Sequence, residues 1–550
     1  MIRQLILDFK ILIKMRKRFS TIILLASGIL GVSLTSCRST DTESNLVSGG
    51  PTTVTFNLAG TAFSDQKSEA QASVNGKGIG SGGAAVQKHV VMVNPSTMMV
   101  AELSPASDGR VSAQASVGGA IAAIPGNALG TGIQFRVIAY SQSDGSFQAY
   151  QDYTVGQQAV PMMLNVGASY NMVVYSYGTT TLPAITSGEQ TNINNAQVNY
   201  DDVNRDFMYY NQSNYIPVKG SNVLNITLRH KVAQITTIIQ SVKLGDISAV
   251  NNAVLTPHYS DGIIPLSSGS VTSRNVLTTG VSLQFSGQFP ATTITADPVF
   301  LNADTSGNAN GLVRADITIG GKTITKNLAN SFKITPGFKS NLKINLQQCG
   351  AYVAPGEWKE FMCHNLGADD TADPFTPTQG LHGAKYQWGA QTGEAGRYLS
   401  AQEDQTDSGT ISGWNPTAKS DSSWSDAIKG PDDPCPTGYK VPTVAQWTGI
   451  RSNNQRTRIG TFTTPSPTNY SSAYQISSNV SGSLGVTMIL PFAGYRSDIS
   501  GTLSFRGVEG NYWSSSSVNG NATFLKVGGV YQVLKGSTNT FGYSVRCIAE

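Results

Sequence analysis

The chain has 550 residues and a formal net charge of +4, but the first 36 positions hold six basic residues and one acid, which leaves 32 basic against 33 acidic residues in the rest. The sequence pI near 8.6 therefore argues for no nucleic-acid partner. Only 13% of residues are charged while Gly numbers 57, a composition that suits exported, turn-rich β-structure and speaks against a helical cytosolic enzyme.

Residues 1–36 read as a secretory signal. The basic group Met15-Arg16-Lys17-Arg18 precedes an apolar run from Phe19 to Val32 that is short for a membrane span. Met15 opens an ordinary signal by itself. The run closes on Leu34-Thr35-Ser36-Cys37, which resembles a bacterial lipobox. That resemblance implies acylation (palmitate included) at Cys37, a mature chain beginning there, and a lipid anchor in the cell outer membrane. The alternative is an uncleaved N-terminal anchor helix. Residues 37–50 form a polar tether.

From residue 51 to about 346, short apolar-alternating runs recur between turn residues. Thr53–Leu58, Gln134–Tyr140, Tyr170–Tyr177, Leu224–Leu228, Val232–Ile239, Ala315–Ile319 and Ser340–Leu346 each carry the period of two, rich in Val, Ile, Thr and Tyr, that predicts a strand. Their regular recurrence predicts two β-sandwiches, at 51–185 and 186–348, with the polar stretch 179–215 as their connection. Several runs together, Gly-Ser-Phe-Gln-Ala-Tyr-Gln-Asp-Tyr at 145–153, Tyr-Asn-Met-Val-Val-Tyr-Ser-Tyr at 170–177 and Leu-Arg-His-Lys-Val-Ala-Gln-Ile-Thr at 228–236, resemble fimbrillin-like proteins. The resemblance implies two transthyretin-like β-sandwiches and a lipoprotein precursor of a Bacteroides-type pilus, with other pilus subunits as partners. An unrelated exported pair of sandwiches is the alternative. In that family assembly looks like strand exchange after a protease removes an N-terminal strand. The strand at 53–58 and Lys67, the first basic residue after it, fit that scheme. Because residues beyond 346 enter a further domain, no free donor strand is expected, and the chain should accept a neighbour without passing the fibre onward.

Residues 349–550 have a different character. After Cys37 the cysteines are Cys349, Cys363, Cys435 and Cys547, an even number confined to this region. They read as two disulfides and not as zinc ligands, since no Cys-x-x-Cys pair exists. Four cysteines allow three pairings. Glu357-Trp358-Lys359, Asn365-Leu366-Gly367, Tyr386-Gln387-Trp388-Gly389, Asp433-Pro434-Cys435-Pro436, Leu490-Pro491-Phe492, Asn511-Tyr512-Trp513-Ser514 and Ser544-Val545-Arg546-Cys547 follow one another in order. This series is similar to the FISUMP domain, the Fibrobacter succinogenes major paralogous domain, and implies an α+β, C-type-lectin-like fold. On that topology the expected pairs are Cys435 with Cys547 and Cys349 with Cys363. The long loop would be worth roughly 4–5 kcal/mol and the short one about 3 kcal/mol in the chain-entropy model. Thr443 and Gln446 make a capping box, with Pro442 and Trp447 set as a hydrophobic staple, and predict a helix over 444–451.

No signature of catalysis is present: no His-Glu-x-x-His, phosphate loop or nucleophile elbow. The Gly76–Gly83 run reads as a flexible loop, Ser514–Ser517 as a strand edge with its hydroxyls on polar neighbours, and Asp369–Asp373 as a solvated acidic loop before a calcium site. The expectation is a non-enzymatic surface protein with no cofactor or metal, acting in adhesion or recognition as an accessory or tip subunit. The alternatives are an exported enzyme on a formylglycine-generating-like fold and a purely structural surface protein. Tyr386, Trp388, Trp414 and Trp424, in the loop-rich stretch Gly367–Gly430, are the candidate contacts for a glycan or host-protein ligand, with core packing as the alternative for each. Packing is the expectation for Trp388, inside its motif, while Trp414, between Gly413 and Asn415, is open to either.

Overall fold

The computed structural model describes residues 49–64, 86–106, 127–203, 206–241, 244–480, 483–518, 521–529 and 531–550. The signal segment, Cys37, Lys67 and the Gly76–Gly83 run lie outside them. The protein is mainly β.

In chain order the first strands are β1 (Pro51–Ala62), β2 (Gln87–Asn94), β3 (Thr97–Pro105), β4 (Gln134–Ser141), β5 (Phe147–Thr154), β6 (Met162–Asn165) and β7 (Tyr170–Ser176). There follow β8 (Gln197–Asp201), β9 (Met208–Tyr215), β10 (Asn222–His230), β11 (Ala233–Gln240), β12 (Ile247–Thr256) and β13 (Asp261–Pro265). The group closes with β14 (Val281–Ser282), β15 (Thr293–Thr295), β16 (Val299–Leu301), β17 (Gly311–Ile319), β18 (Lys322–Phe332) and β19 (Lys339–Gln348). Strict alternation of buried and open positions in β10 and β11 is the period-two pattern at work.

The first sheet runs β5-β4-β7-β9-β10-β1-β6, the second β15-β11-β19-β3-β2 with β16 also on β11, and the third β14-β12-β17-β18. Sheets two and three enclose one core, in which Ile235, Leu342 and Ile344 meet Leu255, Val313 and Ile317. The first sheet is buried on both faces. Val137, Val174, Leu224 and Ile226 pack on one side, while Ile138, Tyr140 and Tyr175 lie against Ile193, Val198 and Ile264 on the other.

Arg136, 2% exposed, fastens the 179–196 stretch over this second face. It donates to both Asp152 carboxylate oxygens at 2.7 and 2.8 Å, to Glu189 at 2.9 Å and to the Pro183 carbonyl at 2.9 Å. Such a buried ion is tolerated because its donors are met.

The hydrogen bonding does not follow the division expected at 185/186. Strands β9 and β10 belong to the first sheet, and β2 and β3 to the second. β1 pairs in parallel with β10, and β3 pairs antiparallel with β19 from Ser340–Pro105 to Gln348–Thr97. The polar stretch 179–215 is likewise more than a connection, since β9 lies between β7 and β10. Its Asn211, Gln212, Ser213 and Asn214 have low strand preference, and only long-range pairing makes them a strand.

The C-terminal region continues with β20 (Gly350–Ala354), β21 (Glu357–Glu360), β22 (Lys385–Tyr386), β23 (Tyr398–Leu399), α1 (Ala401–Thr406), β24 (Tyr439–Lys440) and α2 (Val444–Asn453). Then come β25 (Gln455–Ile459), β26 (Ala473–Val480), β27 (Ser483–Pro491), β28 (Tyr495–Arg496) and β29 (Leu503–Ser504). The last are β30 (Gly510–Val518), β31 (Asn521–Val527), β32 (Tyr531–Ser537) and β33 (Ile548–Ala549). Two antiparallel sheets, β25-β26-β27 and β30-β31-β32, form the frame.

Helix α2 begins at Thr443, and both hydrogen bonds of the capping box with Gln446 are made. Trp447 and Ile450 bury against Phe361, Leu490 and Tyr512. Disulfides join Cys349 to Cys363 and Cys435 to Cys547, with Cα–Cα distances of 5.2 and 5.9 Å.

The first disulfide sits where this region meets the second sheet. The Cys349 amide donates to the Ser96 carbonyl and the Cys363 amide to the Pro95 carbonyl, each at 2.8 Å. Residues 95 and 96 are the turn between β2 and β3. Ser96 Oγ also donates to Glu360 and accepts from Tyr439 at 2.9 Å. Lys88 pairs with Asp373, and Val90, Met98 and Val100 pack with Phe375.

Gly449 in α2 is required by close approach. A Cβ there would stand 1.7 Å from the Val353 carbonyl oxygen of β20. Gly449→Ala is expected to destabilise by about 2–3 kcal/mol despite alanine's better helix propensity. Gly287→Ala, with open space around it, should be near neutral. Denaturant melts of the two variants check this, and equal midpoints would contradict the packing described.

Candidate functional site

The four aromatic residues expected at a ligand face all point inward. Tyr386, Trp388 and Trp424 are at most 1% exposed, and Trp414 is 6% exposed. Trp388 donates its indole N–H to the Ser514 carbonyl at 2.9 Å and packs on Trp424, whose own indole donates to the Asp432 carbonyl at 2.9 Å. Tyr386 shares a 3.0 Å hydrogen bond with Thr392. Trp414 lies against Gly501 and Gly542, where an added Cβ would come within 3.0 and 2.8 Å of the indole. These residues are core: the ligand-contact reading is corrected for Tyr386, Trp414 and Trp424, and Trp388 takes the packed place its motif favours. The physical reason is that the described residues of this region hold just two short α-helices, so indoles and phenols fill space between loops, and carbonyls meet the Trp388 and Trp424 indoles.

Asp369 holds the amide and hydroxyl of Thr371, and Asp373 serves the junction with Lys88. Ser515 and Ser516, on the edge strand β30, donate to the Asp426 carboxylate at 2.6 to 2.8 Å and pin the loop that carries it.

A concave feature lies instead on the first sheet. A groove of about 630 Å³ runs between β1 and β5, with Phe56, Leu58, Leu129, Phe135, Tyr153 and Val155 in its walls and Gln151, Asp152, Gln157 and Gln158 at its rim. Both walls are strand edges. Within the described part of the chain, β6 covers β1 at residues 51–54 alone, and β5 pairs with β4 alone. Among the described residues, the further contact on that edge of β1 is the bridge of Thr61 to Asn127. Sequence reasoning missed this groove because its two walls lie about a hundred residues apart; the one available signal was the alternation of Phe56 and Leu58 in a strand expected to be buried.

Just beyond β1, Phe63 stacks on His230 with ring centroids 3.8 Å apart, and Lys339 Nζ lies 5.9 Å over the Phe63 ring. His230 Nδ1 meets Asp206 at 2.7 Å. The end of β1 is thus held by an aromatic sandwich and by β10 together.

A second polar centre is enclosed in the C-terminal region. Asp404, fully buried in α1, accepts from Arg496 Nε at 2.7 Å and from Arg506 and Lys385. Ser400 places it by capping α1 through a box with Glu403. Burial pushes the Asp404 carboxyl up, but Lys385, Arg506 and Arg496 outweigh it and hold the group below its ordinary range. Burial lowers the Lys385 ammonium to about 8 against the opposing pull of Asp404. Burial, with Lys385 and Arg506 beside it, keeps His382 neutral, well below the usual histidine range.

Asp404→Asn should cost about 3–5 kcal/mol, because it leaves buried cations unpaired. Since the folded pKa is lowered, the contribution of Asp404 is full above the ordinary carboxylate range and is lost as pH falls through the folded value. The variant should therefore lose stability at pH 7 and show a flatter acid limb than the natural protein in denaturant melts at several pH values.

No family model matches the chain, and no curated protein matches it. Solved structures similar to part of it include a candidate cell adhesion protein from Bacteroides uniformis, 13% identical over 40% of this chain and 92% of that one, with a TM-score of 0.27. A candidate adhesin from Bacteroides thetaiotaomicron is 11% identical over 36% of this chain and 72% of that one, with a TM-score of 0.25. A candidate cell adhesion protein from Parabacteroides distasonis is 9% identical over 40% of this chain and 80% of that one, with a TM-score of 0.27.

Proposed function

We propose that this protein is a lipid-anchored surface protein of the outer membrane that works by binding, and that it accepts a strand from a neighbouring subunit as an accessory or tip component of a pilus. The observation that carries this reading is the position of β1. It lies inside the first sheet, parallel to β10 from Val54–Asn222 to Ala62–Arg229, and it also holds β6. Its departure would expose the inner edge of β10 and merge that gap with the groove already open toward β5. Backbone hydrogen bonds would then attach an incoming strand, and alternate side chains would set its register.

Two features support an acceptor that does not donate. β19 passes without a linker into Cys349, and Cys349 is bonded to Cys363. The last strand of the second sheet in chain order is therefore fixed at its C-terminal end. The four cysteines of the C-terminal region are paired, so a binding role there fits better than thiol chemistry. A glycan or host protein as its ligand is part of the proposal.

Two experiments test the reading. Cys37→Ala, or globomycin, should block maturation and leave the unprocessed precursor on gels; normal processing and membrane partition without Cys37 would remove the lipid anchor. Immunogold labelling of intact cells should mark filament ends or the surface itself, and Lys67→Ala should abolish incorporation while leaving the protein on the surface. Regular label along filament shafts would sink the acceptor role.

A further inference from the structure

We propose that the enclosed centre around Lys385 and His382 holds a small monovalent inorganic anion, chloride in ordinary media, as a structural component of the C-terminal region. Lys385, Arg496 and Arg506 are at most 1% exposed, and all three turn to the single carboxylate of Asp404. The formal charge of these four groups is positive by two.

Arg496 meets its needs locally, with Asp404 Oδ1 and the carbonyls of Asp404, Asp407 and Gly501. The two Nη groups of Arg506 find the Pro467 and Asp404 carbonyls, Tyr470 and the Asp404 carboxylate. Lys385 is different. Its ammonium has three N–H groups and one acceptor, Asp404 Oδ2, at a long 3.3 Å. Among the described residues, His382, also fully buried, has no hydrogen-bond partner on either ring nitrogen, and Arg506 Nε has none either.

Two Lys385 N–H groups, Arg506 Nε–H and the single N–H of neutral His382 thus lack acceptors beside a net positive charge, while the other His382 nitrogen lacks a donor. A bridging water would serve the donors but leave the charge, whereas an anion answers both. The enclosure selects its size. The Tyr470 ring closes edge-on over His382 at 4.9 Å, and the few free donors suit a spherical ion better than a phosphate or sulfate. A surface cleft of about 330 Å³ lies on the far side of Arg506, lined also by Ser408, Pro465 and Leu503.

The test uses the mature protein crystallised with sodium bromide in place of chloride. Diffraction at the bromine edge should give an anomalous peak within hydrogen-bond reach of Lys385 Nζ or a His382 nitrogen. In solution, replacing chloride by gluconate at equal ionic strength should lower Tm by about 3 °C or more, and Lys385→Met should lose that difference. Water density without a bromide peak overturns the proposal, and so does an equal Tm of the natural protein in the two salts. Should Lys385→Met fail to fold, the bromide crystal and the salt comparison still decide on the natural protein.

Discussion

The arrangement of the chain from β2 onward depends on two amide hydrogen bonds at one turn. Cys349 and Cys363 are bonded to each other, and each donates its N–H to the Pro95–Ser96 turn. A pair of donors held at fixed separation by a disulfide meets a pair of adjacent carbonyls held by a tight hairpin. Neither partner must be ordered at the moment of docking, which keeps the entropic cost low. Ser96, Glu360 and Tyr439 then close a polar ring around the contact, and Phe375 seals its flank. The short disulfide thus serves the junction between two parts of the fold as much as the interior of either.

Much of the architecture was legible in the sequence where local periodicity decides it. β4, β7, β10, β11, β17 and β19 fall on the alternating runs, and α2 starts at the Thr443 capping box because its signals lie within four residues. What was not legible is pairing across distance. Nothing local to Pro51–Ala62 says that its neighbour is Asn222–His230, and nothing local to Thr97–Pro105 says that it joins β19. Register between strands separated by more than a hundred residues is set by which faces must be buried together, a property of the whole core. β9 was missed for the same reason, since its polar residues become a strand only between β7 and β10.

The candidate site shows the converse failure. An aromatic residue beside Gly413 and Asn415 looks exposed by composition, yet Trp414 is covered by chain passing Gly501 and Gly542. Side chains able to stack on a sugar are also those best able to fill a loop-built core. The groove between β1 and β5 carries no sharp motif, because what defines it is two strand edges left open among the described residues. The Asp404 centre was equally hidden: Lys385, Asp404, Arg496 and Arg506 are scattered over some 120 positions, and each alone reads as a surface charge.

The parallel pairings have a mechanical consequence. A pull applied at residue 51 and resisted at the C-terminal region acts on opposite ends of β1 and β10, whose eight registered positions run side by side. β10 then hands the load through Lys231 and Val232 to β11, and β11 lies parallel to β19 over seven positions before β19 enters Cys349. In both pairs the strands would slide past each other, so their bonds bear tension together and none can peel alone. Rupture under load is set by an unfolding barrier and not by equilibrium stability, and this routing raises that barrier along the axis that joins residue 51 to Cys349.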